Sequence, residues 1–484
     1  MLVIDPPYGV FSALLTLHEC VILALQAVAA VRLALHSPIG IASQSSNRLS
    51  KRSPVELGDD IKKCYTMKVN VHGVSLDLYV DSTMSDTILP LSSSSSDVSL
   101  TPQHTPSGEP VTIEYKGEEY KGISSDTDVT IPGTSITGIN LPVISVEKQS
   151  PDLVGINPEF DGVFGFAYSS LSKHHPPITV LDSLYKDGVI PNNEIGLQLC
   201  PSDILHESFI NIGNTDITAK CGTDGTSLIW VESPTTDRHT VNIKNILIDD
   251  EPVELPERFQ QVVENGRTLY SYIHTCFIHM RFPEAVVSTL VNAILDSGAI
   301  TVKNNMLERR HKLTPEDIDN IFWKLHLMIR SNFRIDWDKL PSLTIVMYSE
   351  TPVTDDNRNS VVAIKLGPKD YIQIIDSKHV MFSVEVGPSD NAILGTSFMN
   401  RLGLTFDRAH TRIGFGPGCG CETATDGYPT ISNADQVLWP LPQLPEQPST
   451  SSSDGTSTLG ILSQLGSALC GSRRPKFNYE KAGD

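Results

Sequence analysis

Residues 392–415 read AILGTSFMNRLGLTFDRAHTRIGF, an Ile-Leu-Gly turn followed by a pair of short strands. Comparable alternation of apolar and polar residues occurs upstream, over 65–71, 76–80 and 111–115. Helical spacing is confined to a few segments, of which 178–187, 283–295 and 314–329 are the clearest. Many short strands with scattered single helices predict an all-β fold.

Three further segments precede this one along the chain: LDLYVDSTMSD at 76–86, DGVFGFAY at 161–168 and GVIPNNEIGLQLC at 188–200. In this order the four segments resemble the pepsin-like aspartic peptidase family and span most of residues 61–421. Gln198-Leu-Cys200 and Trp230 are most similar to the β-secretase-like branch. The resemblance implies two β lobes, a central cleft closed by a hairpin flap, a peptide or protein ligand, and neither a cofactor nor a metal.

The length of 484 residues suits two domains with terminal extensions. We expect an N-terminal lobe over 53–197 and a C-terminal lobe over 198–424. Residues 1–52 contain a mostly apolar run over 10–35, which indicates a signal peptide or a membrane anchor, followed by a short pro-segment that could end at Lys51-Arg52. Residues 425–484 are rich in Ser, Thr, Pro and Gly, so we expect a disordered low-complexity tail.

The charge balance narrows the range of partners. There are 57 acidic and 37 basic residues, for a net charge of -20, which disfavours nucleic acid and anionic membranes. We expect a secreted or secretory-pathway monomer that touches a membrane only through its N-terminal segment. The eight cysteines show no zinc-site spacing. The family resemblance implies a disulfide from Cys200 to Cys419 or Cys421.

The family's chemistry needs two carboxylates that share one proton, one from each lobe, each in an Asp-Thr/Ser-Gly loop. In the first loop the resemblance implies Asp81 as the carboxylate and Ser82 as the residue that braces the loop. Thr83 replaces the family's Gly, and we expect its β-branched side chain to crowd the loop. Met84 replaces a Ser that would hydrogen-bond the carboxylate. The catalytic motif is therefore degenerate.

The second loop has two possible registers. Asp296-Ser-Gly298 matches the motif literally. However, the apolar residues of the preceding segment 283–295 have helical spacing, and Pro283 stands at the start of that predicted helix. In the other register, His274-Thr275-Cys276 follows a strand and occupies the Asp-Ser-Gly place, with Thr275 bracing. The residue spacing in the N-terminal lobe mildly favours Asp296 as the counterpart of Asp81. The expectation that the catalytic loop follows a strand and precedes a helix favours His274. We prefer His274 and keep Asp296 as the alternative.

Tyr115 stands where the family's flap tyrosine would lie, in a predicted hairpin with a charged tip. Three functions follow from these residues. The first is a catalytically impaired or inactive family member that retains a peptide-binding cleft. The second is an active aspartic endopeptidase that uses Asp81 with Asp296. The third is a histo-aspartic variant that uses Asp81 with His274.

Overall fold

The structure is a computed structural model that describes residues 31–35, 64–90, 108–115, 117–132, 134, 136–146, 162–199, 208–213, 228–264, 266–303, 311–418 and 426–440. These residues belong to one compact unit and are mostly strands, which confirms the all-β prediction. They divide into two β lobes joined by a central sheet.

The N-terminal lobe is built on a seven-stranded sheet. In spatial order its strands are Thr66–Val71, Val74–Asp81, Val163–Gly165, Ile88–Pro90, Ile139–Val146, Glu118–Thr130 and Glu109–Tyr115. The predicted strands at 65–71, 76–80 and 111–115 are confirmed. The last two strands of the sheet form a hairpin in which Tyr115 pairs with Glu118.

The C-terminal lobe contains two larger sheets and several small ones. A five-stranded sheet carries Thr240–Val241, Ser271–Ile273, Ile393–Leu394, Met280–Phe282 and Val384–Val386. A six-stranded sheet carries Glu251–Pro252, Ile243–Ile248, Leu343–Tyr348, Val361–Leu366, Thr430–Ser432 and Val437–Leu438. The remaining small sheets are formed by Leu327–Ile329, His379–Phe382 and Ile372–Ile374, by Val263–Glu264 and Arg267–Thr268, and by Ile300–Val302 and Phe333–Ile335.

The central six-stranded sheet draws on distant parts of the chain. Its order is Val31–Leu35, Ser208–Ile212, Glu194–Gln198, Leu402–Asp407, Arg412–Pro417 and Ile229–Glu232. The pair at 402–417 is the strand pair that the sequence predicts. Beside it, Phe406 packs edge-on against Phe166 of the N-terminal lobe, with ring centroids 5.3 Å apart. The two lobes therefore share one apolar core.

Among the described residues the helices are short, except for one. They are Val180–Lys186, Glu284–Ser297, Pro315–Asp319, Pro368–Tyr371 and Thr396–Met399, with 3-10 turns at Ser169–Leu171 and Trp337–Lys339 and a π-helical turn at Asn320–Lys324. The helix predicted over 283–295 is confirmed and spans Glu284–Ser297. Its apolar residues Val286, Leu290 and Ile294 are buried on one face, as their helical spacing predicts. The helix predicted over 314–329 ends at 324, and a strand follows it.

Parts of both predicted terminal segments form strands in the structure. The tail does not begin at 425, because residues 430–432 and 437–438 add two strands to the C-terminal lobe and Ile431 is fully buried there. Within the segment assigned to a leader and pro-segment, Val31–Leu35 forms an edge strand antiparallel to Ser208–Ile212. In the part of the chain that the structure describes, no helix is both long and apolar enough to cross a membrane.

Candidate active site

The first half of the site lies where two parallel strands end in the N-terminal lobe. Val74–Asp81 runs parallel to Val163–Gly165, with Asp81 opposite Gly165. A Cβ atom on Gly165 would lie 2.6 Å from the carbonyl oxygen of Met84 and 2.5 Å from that of Asp86. Only glycine therefore lets the loop after Asp81 fold back over the neighbouring strand.

The C-terminal lobe repeats this arrangement. Ser271–Ile273 runs parallel to Ile393–Leu394, and the backbone N–H of His274 donates to Leu394 O at 2.9 Å. A Cβ atom on Gly395 would lie 2.5 Å from Phe277 O and 2.2 Å from His279 O. Phe277 and His279 follow His274 at the same intervals at which Met84 and Asp86 follow Asp81. The structure thus places His274 at the position that corresponds to Asp81 in the other lobe.

Reciprocal hydrogen bonds join the two loops. The backbone N–H of Ser82 donates to Thr275 Oγ1 at 2.9 Å, and that of Thr275 donates to Ser82 Oγ at 3.0 Å. Each hydroxyl also donates across the lobe boundary, Ser82 to Ile273 O at 2.8 Å and Thr275 to Val80 O at 2.7 Å. All four bonds are buried, so they hold the two loops in a fixed relation.

Asp81 and His274 face each other through this arrangement. His274 Nδ1 lies 3.9 Å from Asp81 Oδ1, and the Asp81 side chain is 1% exposed whereas that of His274 is 22% exposed. The backbone N–H of Cys276 donates to His274 Nδ1 at 3.3 Å. A ring nitrogen that accepts a hydrogen bond carries no proton, so the neutral ring is protonated at Nε2.

Thr83 has a different effect from the one predicted. Its backbone N–H and its Oγ1 both donate to Asp81 Oδ1, at 2.8 and 2.7 Å. The side chain is half-buried, so it does not crowd the loop but supplies a hydroxyl to the carboxylate. Met84 packs instead against the apolar cluster below the hairpin, which includes Ile113 and Tyr115.

Asp296 occupies a different environment. It lies in the last turn of the helix Glu284–Ser297, where its side chain is exposed. This helix and the strands after it lie between His274 and Gly395, and that stretch is longer than the one between Asp81 and Gly165 in the first lobe. That extra length explains why residue counting between the lobes pointed to Asp296.

The hairpin tyrosine is close to both loops. Tyr115 is 6% exposed, and its hydroxyl lies 3.8 Å from Cys276 Sγ. Burial and then the negative charge of Asp81 raise the pKa of Tyr115 well above its usual value. The Tyr115 hydroxyl therefore lies close enough to Asp81 for the charge of this carboxylate to act on it.

A disulfide that was not predicted adjoins the site. Cys64 and Cys276 are bonded, and Cys276 belongs to the His274 loop. The available signal was a cysteine at a glycine position of that loop, together with another directly before the first strand of the N-terminal lobe. The predicted partners Cys200, Cys419 and Cys421 lie outside the described residues.

Sequence reasoning also missed a cavity of about 420 Å³ beside His274. Its wall includes Tyr272, whose ring centroid lies 6.2 Å from that of His274. The guanidinium of Arg238 lies 5.5 Å from the centre of the Tyr272 ring, and Arg267 is paired with Asp237 at 3.2 Å. Burial raises the pKa of Tyr272. The cavity can accept a side chain that has both a flat surface and polar atoms.

Among the described residues, no cluster of His, Cys, Asp and Glu is arranged to hold a metal ion. The family model for eukaryotic aspartyl proteases matches residues 66–418. The chain is also similar to pepsin II-2/3 of Oryctolagus cuniculus, with 26% identity over 163 residues. That match covers 31% of this chain and 41% of the rabbit pepsin. Together with the paired loops and the two β lobes, the match over residues 66–418 shows that the chain belongs to the eukaryotic aspartyl protease family.

Proposed function

We propose that this protein is a catalytically impaired or inactive aspartic peptidase that binds a peptide in its cleft. The observation that carries the proposal is His274, which faces Asp81 at 3.9 Å in the loop where a second carboxylate is required. Two carboxylates about 3 Å apart share one proton, and that proton divides the roles of base and acid. His274 has no carboxyl group, so the site lacks the second acid with which Asp81 would share that proton.

Peptide binding does not require the pair of acidic groups that catalysis requires. Tyr115 of the hairpin lies against Cys276, and Tyr272, two residues before His274, lines a cavity together with Arg238. Both features provide contacts for a peptide without a catalytic pair. A peptide or protein ligand is therefore part of the proposal, and the chain is proposed to act as a monomer.

A histo-aspartic peptidase is the second candidate. When His274 is protonated, its imidazolium could polarise a peptide carbonyl while Asp81 activates water. The short separation of Nδ1 and Oδ1 favours this candidate over a pair of Asp81 with Asp296. The exposed position of Asp296 in a helix argues against that pair.

The proposal extends to the compartment. The disulfide between Cys64 and Cys276 supports a secretory or extracellular location, since such bonds persist in oxidising environments. The family assignment is consistent with that location.

A peptide-library digest between pH 3 and 6 tests the proposal. We expect little or no cleavage by the wild-type chain, and restored cleavage in His274→Asp, where a second carboxylate would face Asp81. Loss of an acid/base group lowers rates by about 10²–10⁴-fold, so the gain should be easy to measure. The controls are Asp81→Ala, which should abolish any activity, and Asp296→Asn, which should leave it unchanged.

Three results would change the conclusion. Wild-type cleavage that Asp81→Ala abolishes would overturn the inactive assignment. If His274→Gln also abolished that cleavage, the histo-aspartic candidate would be supported. If Asp296→Asn abolished it instead, the Asp81–Asp296 pair would be supported.

A further inference from the structure

The Cys64–Cys276 disulfide joins the two lobes at the floor of the candidate active site. We propose that it is a redox-controlled latch, which holds the His274 loop against Asp81 and which a dithiol reductant opens. This proposal depends on the proposed function only in the experiment that measures peptide binding.

The two cysteines come from different lobes. Cys64 precedes the strand Thr66–Val71 of the N-terminal lobe, whereas Cys276 lies in the C-terminal lobe, 212 residues further along the chain. The backbone N–H of Cys276 also donates to His274 Nδ1 at 3.3 Å. The covalent bond therefore holds in place the residue that orients the His274 ring.

The disulfide is buried. Cys64 is 1% exposed and Cys276 is 5% exposed, and the two pack with Tyr79 in a small cluster. On the cleft side, the Tyr115 hydroxyl lies 3.8 Å from Cys276 Sγ. On the lobe side, Cys276 Sγ lies 3.9 Å from Val80 O. In this proposal a reductant reaches Cys276 Sγ from the side that Tyr115 covers, so displacement of Tyr115 would expose the bond and a peptide bound there would shield it.

The chemistry needs a dithiol and no other reactant. One thiolate of the reductant attacks a sulfur of the disulfide, forms a mixed disulfide and releases the other cysteine as a thiolate, which takes up a proton. The second thiol of the reductant then displaces the remaining cysteine. Two electrons pass to the protein, both cysteines become thiols, and the reductant becomes a cyclic disulfide.

The first test measures access directly in the full chain. The protein is incubated with dithiothreitol, alkylated at intervals and digested, and alkylation of Cys64 and Cys276 is measured by mass spectrometry. We expect slow reduction in the wild type and reduction several-fold faster in Tyr115→Ala, because this variant removes the ring that covers Cys276 Sγ. Tyr115→Phe keeps the ring and is the matched control, so its rate should stay near that of the wild type.

The second test measures the consequence. A statine-containing peptide should bind the oxidised chain about tenfold more tightly than the reduced chain, which is within the range typical of coupled sites. The double variant Cys64→Ser/Cys276→Ser should bind as the reduced wild type does and should not respond to the reductant. This control excludes effects from the other cysteines.

The outcomes separate the latch from the proposed function. Free thiols at Cys64 and Cys276 in the untreated protein would overturn the latch, as would binding in the double variant equal to that of the oxidised wild type. If the wild type binds neither the statine peptide nor an unmodified peptide of the library, the proposed function fails. The latch is then judged by the His274 ring signals in NMR, assigned with His274→Gln. A change of these signals on reduction supports it, and unchanged signals overturn it.

Discussion

At the scale of single residues, Thr83 shows how a substitution that breaks the family pattern can be compensated locally. The glycine it replaces has no side chain, and Met84 cannot supply the hydroxyl of the family's serine. In this chain the Thr83 hydroxyl reaches Asp81 Oδ1 from the neighbouring position, at 2.7 Å. The carboxylate therefore keeps a side-chain donor although the motif has changed.

This contact can be tested by substitution. Thr83→Val keeps the shape of the side chain and removes its hydroxyl, so the unfolding free energy at pH 7 should fall by roughly 1 kcal/mol, the net value of such a hydrogen bond. Thr83→Ser keeps the hydroxyl and should lose less than half of that. Urea denaturation measures both variants. A loss in Thr83→Ser with none in Thr83→Val would show that the methyl group matters and the hydroxyl does not.

At the scale of structural elements, the strands after residue 425 belong to the C-terminal lobe. Ile431 pairs with Ile364 and is fully buried, whereas Val437 in the next strand is 50% exposed. The first of these strands thus packs on the core, and the second lies at the edge of the sheet.

A matched pair of alanine variants tests this packing. Ile431→Ala should lower the unfolding free energy by about 2–4 kcal/mol, because it removes buried methyl groups and leaves a cavity. Val437→Ala should change it by less than about 0.5 kcal/mol, as is usual for surface positions. Urea denaturation distinguishes the two. A loss below about 1 kcal/mol for Ile431→Ala would place the strand outside the cooperative core.

Much of the fold and part of the site follow from sequence patterns. The helix after Pro283 was predictable because its apolar residues repeat at helical spacing, and that helix also made His274 the better register. The disulfide was not predictable from the sequence, because Cys64 and Cys276 are 212 residues apart and come together only when the two lobes fold. The strand at 430–432 was missed because Ile431 is a single apolar residue within a polar segment.

At the scale of the whole molecule, buried histidines make stability depend on pH. His239 is fully buried beside Phe166, Tyr168 and Phe406, and burial lowers its pKa to about 3. Burial also lowers the pKa of His279 to about 4. Both rings are neutral in the folded protein above these values. The unfolded chain takes up protons below about pH 6.5, so stability falls as pH decreases from there towards 3 or 4.

The expected slope is about 1.4 kcal/mol per pH unit for each such histidine within its window. His239→Gln should flatten the dependence of the unfolding free energy on pH between about 6 and 4, whatever its effect at pH 7. His175→Gln changes an exposed histidine and should leave the slope unaltered. Urea denaturation at several pH values gives the slopes. An unchanged slope in His239→Gln would show that His239 does not contribute to the loss of stability in acid.

The order of strands in the central sheet also bears on how the chain is made. Leu402–Asp407 and Arg412–Pro417 lie between Glu194–Gln198 and Ile229–Glu232, so the middle of the sheet is synthesised last. About 170 residues separate the end of the strand at 229–232 from the start of the strand at 402–407. A ribosome takes roughly ten to thirty seconds to translate them. Throughout that interval the earlier strands have no partner on the side facing the missing pair, which makes them ready substrates for the chaperones that meet nascent chains.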